Sequence, residues 1–174
     1  SETMQAMCDD GFEDMKRMRC DVIRCHLTPA DFTDAEGNLV ETMWLDMLGY
    51  MIGKAREHGI YVYITFINHM DFTLIEESFV ANATREEWIF DPDAVQATQN
   101  YVRQLINLRN PYTGICYKDD ATIAVWGLIN EPEYSTYRQM MVDAKQKATF
   151  AAWLEANDYP WNDVYYGKYR ESVV

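Results

Sequence analysis

Glycine and proline are scarce in this chain, with 8 and 5 in 174 residues. That is too few for a collagenous or low-complexity protein. The four cysteines form no CxxC pair and have no histidine at zinc-site spacing, so neither a dense disulfide framework nor a metal centre is expected. Basic residues are outnumbered 15 to 28 by acidic ones, a net charge of −13. Phosphate backbones and anionic membranes would be repelled, and neither nucleic acid nor membrane is an expected partner. No run approaches the ~20 apolar residues of a bilayer helix. The first residues, Ser1-Glu2-Thr3-Met4, carry neither the basic nor the apolar part of a signal peptide. A Gly-rich phosphate loop, a GxSxG elbow and a Cys–His nucleophile signature are all missing.

What is present is the material of a folded core, because 48% of residues are hydrophobic. A chain of this size can bury roughly 70% of the surface it would expose when unfolded. Cys8, Cys20, Cys25 and Cys116 read as buried thiols. A Cys8–Cys20 bridge stays open as an alternative and would point to an oxidising compartment.

Two periods alternate along the chain. Met43, Trp44, Met47, Leu48, Met51, Ile52 and Ala55 recur at helical spacing, and Gly59 stands where a helix-ending glycine belongs. Ile60 to Ile67 follows, β-branched and aromatic on both faces, as in a buried parallel strand. Asp21–His26 and Ile123–Ile129 are similar runs, preceded by helical patterns over Phe12–Met18 and Asp93–Leu108. Ser135 to about Ala156 reads as one last long helix with Ser135 as N-cap, and Tyr159–Val174 as a loop and the start of another helix. Trp44 and Trp153, at helical spacing, are expected in the core. Asp119-Asp120 reads as a turn capping the third strand. The order α-β-α-β-α-β-α predicts an α/β fold with a parallel sheet and right-handed crossovers, in a single domain over 1–174.

In such folds functional groups gather at the carboxyl ends of the strands. The three expected strands end at Arg24 and His26, at Asn68 and His69, and at Asn130 and Glu131. Long loops, Thr28–Glu41 and Met70–Phe90, follow the first two, as on a built-up binding face. Trp88, in the second loop, is the best candidate for an exposed aromatic binding platform. His26 and His69 lack the further ligands that would complete a metal set, so no metal and no cofactor is expected.

Trp126-Gly127-Leu128-Ile129-Asn130-Glu131-Pro132 resembles the fourth strand of clan A glycoside hydrolases. Asn110-Pro111-Tyr112-Thr113-Gly114 and Tyr117-Lys118-Asp119-Asp120 are similar to the segment before that strand in family 5 and mannanase-like enzymes. Val22-Ile23-Arg24 resembles the second strand. The resemblance runs from Phe12 to about Leu154 and implies a partial (β/α)8 TIM barrel, about strands 2–4 with flanking helices. It implies a retaining hydrolase of O-glycosidic bonds in a β-mannan or β-glucan type polysaccharide or oligosaccharide. Glu131 matches the general acid/base, Asn130 the amide that holds the sugar 2-hydroxyl, and Arg24 the arginine near the catalytic pair. His26, Asn68 and His69 fall at subsite positions. Relatives of this kind are commonly exported, which implies secretion or the periplasm.

An acid/base carboxyl works best with a pKa near neutrality. Asn130 and Glu131 are adjacent and would point to opposite faces of a regular strand, so both reach one pocket only if the strand end kinks. The pattern also breaks. A complete barrel takes about 250 residues, and a retaining enzyme needs a second carboxylate about 5–5.5 Å from the acid. No position here matches it. Glu133 is next to Glu131 and Glu155 lies in a helix, and Gly127 stands where several relatives have an acidic residue. The chain is therefore expected to be inactive alone, with the missing barrel half or a homo-oligomer as partner. The alternative is a non-catalytic carbohydrate-binding or assembly module derived from such a barrel.

Overall fold

The structure, a computed structural model, describes residues 2–68, 92–131 and 137–172. In chain order the elements are α1 (Glu2–Arg17), β1 (Val22–His26), α2 (Met43–His58), β2 (Tyr61–Ile67), α3 (Pro92–Asn107), β3 (Ile123–Ile129), α4 (Tyr137–Val142), α5 (Ala144–Ala156) and α6 (Val164–Ser172). The strands form one parallel sheet in the order β1-β2-β3. This is the α/β arrangement with a parallel sheet that the alternating periods imply, and it fits the partial barrel that the resemblance implies.

Local chemistry explains the boundaries. Thr42 caps α2 by accepting from the Leu45 N–H, and Gly59 ends it in the left-handed conformation, its N–H turned back to Ala55 and Arg56. Asp120 caps the start of β3 as expected: one carboxylate oxygen accepts from the Thr122 N–H at 2.9 Å and from Arg56 at 3.0 Å. Along α3, Ala94, Ala97, Tyr101 and Leu105 form one buried stripe. They pack with Leu48, Ile52 and Ala55 of α2 against Val62, Ile64 and Phe66 of β2. The Tyr101 hydroxyl donates to the Phe66 carbonyl at 3.1 Å, which satisfies the one polar atom of that buried ring.

The opposite face of the sheet carries Val22, Tyr61 and Val125, all exposed. Their cross-strand pairing follows the register Val22↔Tyr61, Arg24↔Tyr63 and His26↔Thr65, then Tyr63↔Val125 and Thr65↔Gly127. One face of the sheet is thus covered by helices, and the other presents Arg24, His26, Tyr63, Thr65 and Gly127.

Several expectations are corrected. The first helix begins at Glu2, ten residues before the expected Phe12, and buries no residue ahead of Phe12. The last long helix is broken: α4 ends at Val142, and Asp143 leaves helical geometry to cap α5 by accepting from Gln146 at 2.8 Å. Ser135 lies outside the described residues. Trp44 is 48% exposed, on the outer side of α2. Trp153 does pack inward, in a second cluster built from Met140, Phe150, Leu154, Tyr166 and Tyr169. The cysteines are free and only partly buried, so Cys8 and Cys20 form no bridge. No helix among the described residues is long and apolar enough to cross a membrane.

Candidate active site

The parallel sheet brings the carboxyl ends of β1, β2 and β3 to one side, and four of the six expected binding residues stand there. The Arg24 guanidinium donates to Asn130 Oδ1 at 2.9 Å, across the intervening strand. It also lies over the Tyr63 ring, 4.7 Å from the ring centre. Of the two polar atoms of the Asn130 amide only the oxygen can accept from a guanidinium, so this bond fixes the orientation of the amide and turns its NH2 group toward other partners.

Strict alternation along β3 would send Asn130 to the face opposite Arg24. The chain instead bends after Ile129, and Glu131 adopts φ 46°, a left-handed conformation rare for a residue with a Cβ. The chain thus leaves strand geometry at the point where Asn130 reaches the Arg24 side chain. Asn130 remains tied to the sheet through its N–H, which donates to Ile67 at 2.9 Å. The Glu131 side chain is exposed. Asn68 directly follows β2, its N–H donating to the Leu27 carbonyl at 2.9 Å.

Beneath these groups the floor of the site holds two orphaned polar atoms. His26 Nδ1 and Thr65 Oγ1 are both buried without a hydrogen-bond partner, and the two residues are direct cross-strand neighbours. Buried unpaired polar atoms are uncommon and suit a surface completed by ligand or water. Cys25, between Arg24 and His26 in sequence, points the other way into the core, and burial pushes its thiol pKa up, away from a reactive thiolate.

Gly127 has a local reason. A Cβ there would lie 2.9 Å from Tyr63 Cε2 and 3.2 Å from Thr65 Oγ1, so the ring occupies the space an acidic side chain would need. Tyr63 and Thr65 were not among the expected site residues. The signal that marks them is register: they alternate on the face that Arg24 and His26 share, which the apolar look of the whole strand conceals.

His69 and Trp88 lie outside the described residues, as do Pro132 and Glu133. Glu155 is exposed on α5. No group of three or more metal-binding side chains occurs among the described residues. A cavity of about 570 Å³, lined by Thr42, Asp46, Arg109, Pro111 and Tyr117 among others, contains none of the site residues.

The fold is that of part of a (β/α)8 barrel, and the chain is similar to clan A, family 5-type glycoside hydrolases. Within that class the similarity is to mannanases. The chain is 34% identical to mannan endo-1,4-beta-mannosidase 4 of rice over 113 residues, 60% of this chain and 24% of that protein. It is 29% identical to mannan endo-1,4-beta-mannosidase 5 of Arabidopsis thaliana over 98 residues, 51% of this chain and 23% of that one. Among solved structures, the endo-1,4-beta-mannanase of Rhizomucor miehei superposes with a TM-score of 0.60 at 19% identity, over 87% of this chain and 49% of that one. The endo-1,4-beta-D-mannanase of Thermotoga petrophila gives 0.59 at 20% identity, covering 86% and 47%. At that identity the structural likeness concerns the fold. The chain thus spans about half the length of these barrels and matches about a quarter of the plant proteins. No protein-family model matches it.

Proposed function

We propose that residues 1–174 are one partial barrel domain carrying the acid/base half of a retaining glycoside hydrolase that acts on β-linked mannan. Glu131 serves as general acid/base: it first protonates the leaving glycosidic oxygen and later takes a proton from the attacking water. Asn130, its acceptor oxygen occupied by Arg24, donates its NH2 to the sugar 2-hydroxyl, a contact that strengthens as the oxocarbenium-like transition state forms. Arg24 holds that amide and adds positive charge near the catalytic carboxylates. His26, Asn68, His69 and Trp88 bind flanking sugar units, and the reaction needs neither metal nor cofactor.

The observation that carries the reading is the 2.9 Å bond from Arg24 to Asn130, which joins the two motif-bearing strands at the kink that leads to Glu131. Mannan, rather than glucan, is favoured by the names of the similar plant proteins. The second carboxylate lies beyond what these residues match, so the isolated chain binds substrate without turnover.

Titration calorimetry with mannohexaose tests this. The 174-residue chain is expected to bind saturably and release no reducing ends, and Asn130→Ala is expected to abolish binding. Absence of binding by the unaltered chain would overturn the site. Hydrolysis that disappears in Glu131→Gln would overturn the claim that the chain is inactive alone.

A further inference from the structure

We propose that Tyr63 is the positioning residue for Arg24, and through it for Asn130, and that Gly127 is the clearance that allows it. The proposal deepens the saccharide reading and rests on it for its functional consequence.

Three observations converge. Tyr63 is the direct cross-strand partner of Arg24, and the guanidinium sits 4.7 Å from the centre of its ring. The same guanidinium donates to Asn130 Oδ1. On the neighbouring strand, a Cβ on Gly127 would lie 2.9 Å from Tyr63 Cε2 and 3.0 Å from its hydroxyl oxygen, so the ring lies directly over that glycine. Arg24 is exposed, and a solvated arginine samples many rotamers unless something holds it. A flat aromatic face beneath a planar guanidinium limits it to stacked orientations, and one of these aims Nη2 at Asn130. The amide is then held with its NH2 group outward before any ligand arrives, and such preorganisation raises affinity by lowering the ordering cost of binding. Where a carboxylate beside Arg24 would hold it by charge, this chain uses a ring. Gly127 leaves the ring the space and supplies no carboxylate.

The test compares the 174-residue chain with Tyr63→Phe, which keeps the ring, and Tyr63→Leu, which keeps much of the volume without a π face. The first readout is the Arg24 δ- and ε-proton resonances and the Asn130 side-chain amide pair. An upfield ring-current shift on Arg24 is expected in the unaltered chain and in Tyr63→Phe, and is expected to vanish in Tyr63→Leu and Gly127→Ala. The second readout is mannohexaose affinity. Tyr63→Leu is expected to weaken it about two- to fivefold, the range of an exposed cation–π contact. It should cause no further loss once Arg24→Met is present, because both changes remove one pathway.

Unshifted Arg24 signals in the unaltered chain, or losses that multiply in the double variant, would overturn the proposal. If the unaltered chain binds no mannohexaose, the saccharide reading fails and the Arg24 signals alone decide. A shift kept by Tyr63→Phe and lost by Tyr63→Leu still establishes the positioning role, and a shift kept by Tyr63→Leu refutes it.

Discussion

At Glu131 the chain adopts a conformation that residues with a Cβ avoid, at φ 46°. A left-handed L-residue costs roughly 1–2 kcal/mol, and such strain is found where the surroundings need a side chain aimed against local preference. Glu131→Gly and Glu131→Ala both delete the carboxylate, so their difference isolates the backbone. The glycine variant is expected to be more stable than the alanine variant by about 1 kcal/mol in urea unfolding; equal midpoints would remove strain from the account. The type of this residue and its neighbour was legible in the sequence, but the way Asn130 meets Arg24 was not. Asn130 reaches Arg24 because the strand stops one residue earlier, and that depends on tertiary packing at the end of β3. Tyr63 and Thr65 were hidden for a related reason, since a strand that looks apolar throughout does not reveal which of its faces carries the site.

The segment Asn110 to Gly114 shows how a motif can resemble an enzyme family and still be architectural at the scale of an element. Asn110 is fully buried. Its amide donates to the Gly49 carbonyl of α2 at 3.0 Å and its oxygen accepts from the Tyr112 N–H at 2.9 Å. Those bonds lock the connection between α3 and β3 against α2, and so fix where β3 enters the sheet. Asn110→Ala removes both bonds and leaves a gap at a fully buried position, and is expected to cost about 2–3 kcal/mol in denaturant unfolding. A loss below 0.5 kcal/mol would contradict this role. All three strands and the α2 helix were readable to within a residue, because β-branched runs, the helical period from Met43 and Gly59 speak locally. The start of α1 and the break at Asp143 were not, since an exposed polar helix turn and a short helix–helix junction leave little hydrophobic period.

Taken whole, the molecule buries Tyr101, Tyr117, Tyr166 and Tyr169. Burial pushes Tyr101 well above its ordinary pKa of 10.0, raises Tyr117 as well, and moves Tyr169 up to about 12. A folded-state pKa above the unfolded one means that the folded chain holds its proton more tightly. The associated stability is complete below pH 10 and is lost as pH rises through about 12. Urea midpoints are expected to hold from pH 8 to 9.5 and fall steadily between pH 10 and 12, less so in Tyr169→Phe; a flat profile to pH 12 would show that these hydroxyls do not ionise on unfolding. The same scale holds the central claim, that the saccharide site lies at the carboxyl ends of the three strands. The most direct measurement is a resonance-by-resonance titration of the isotope-labelled chain with mannohexaose. The account predicts saturable shifts at Arg24, His26, Asn68, Asn130 and Glu131. Shifts confined to the cavity between Thr42 and Tyr117, or none at any residue, would contradict it.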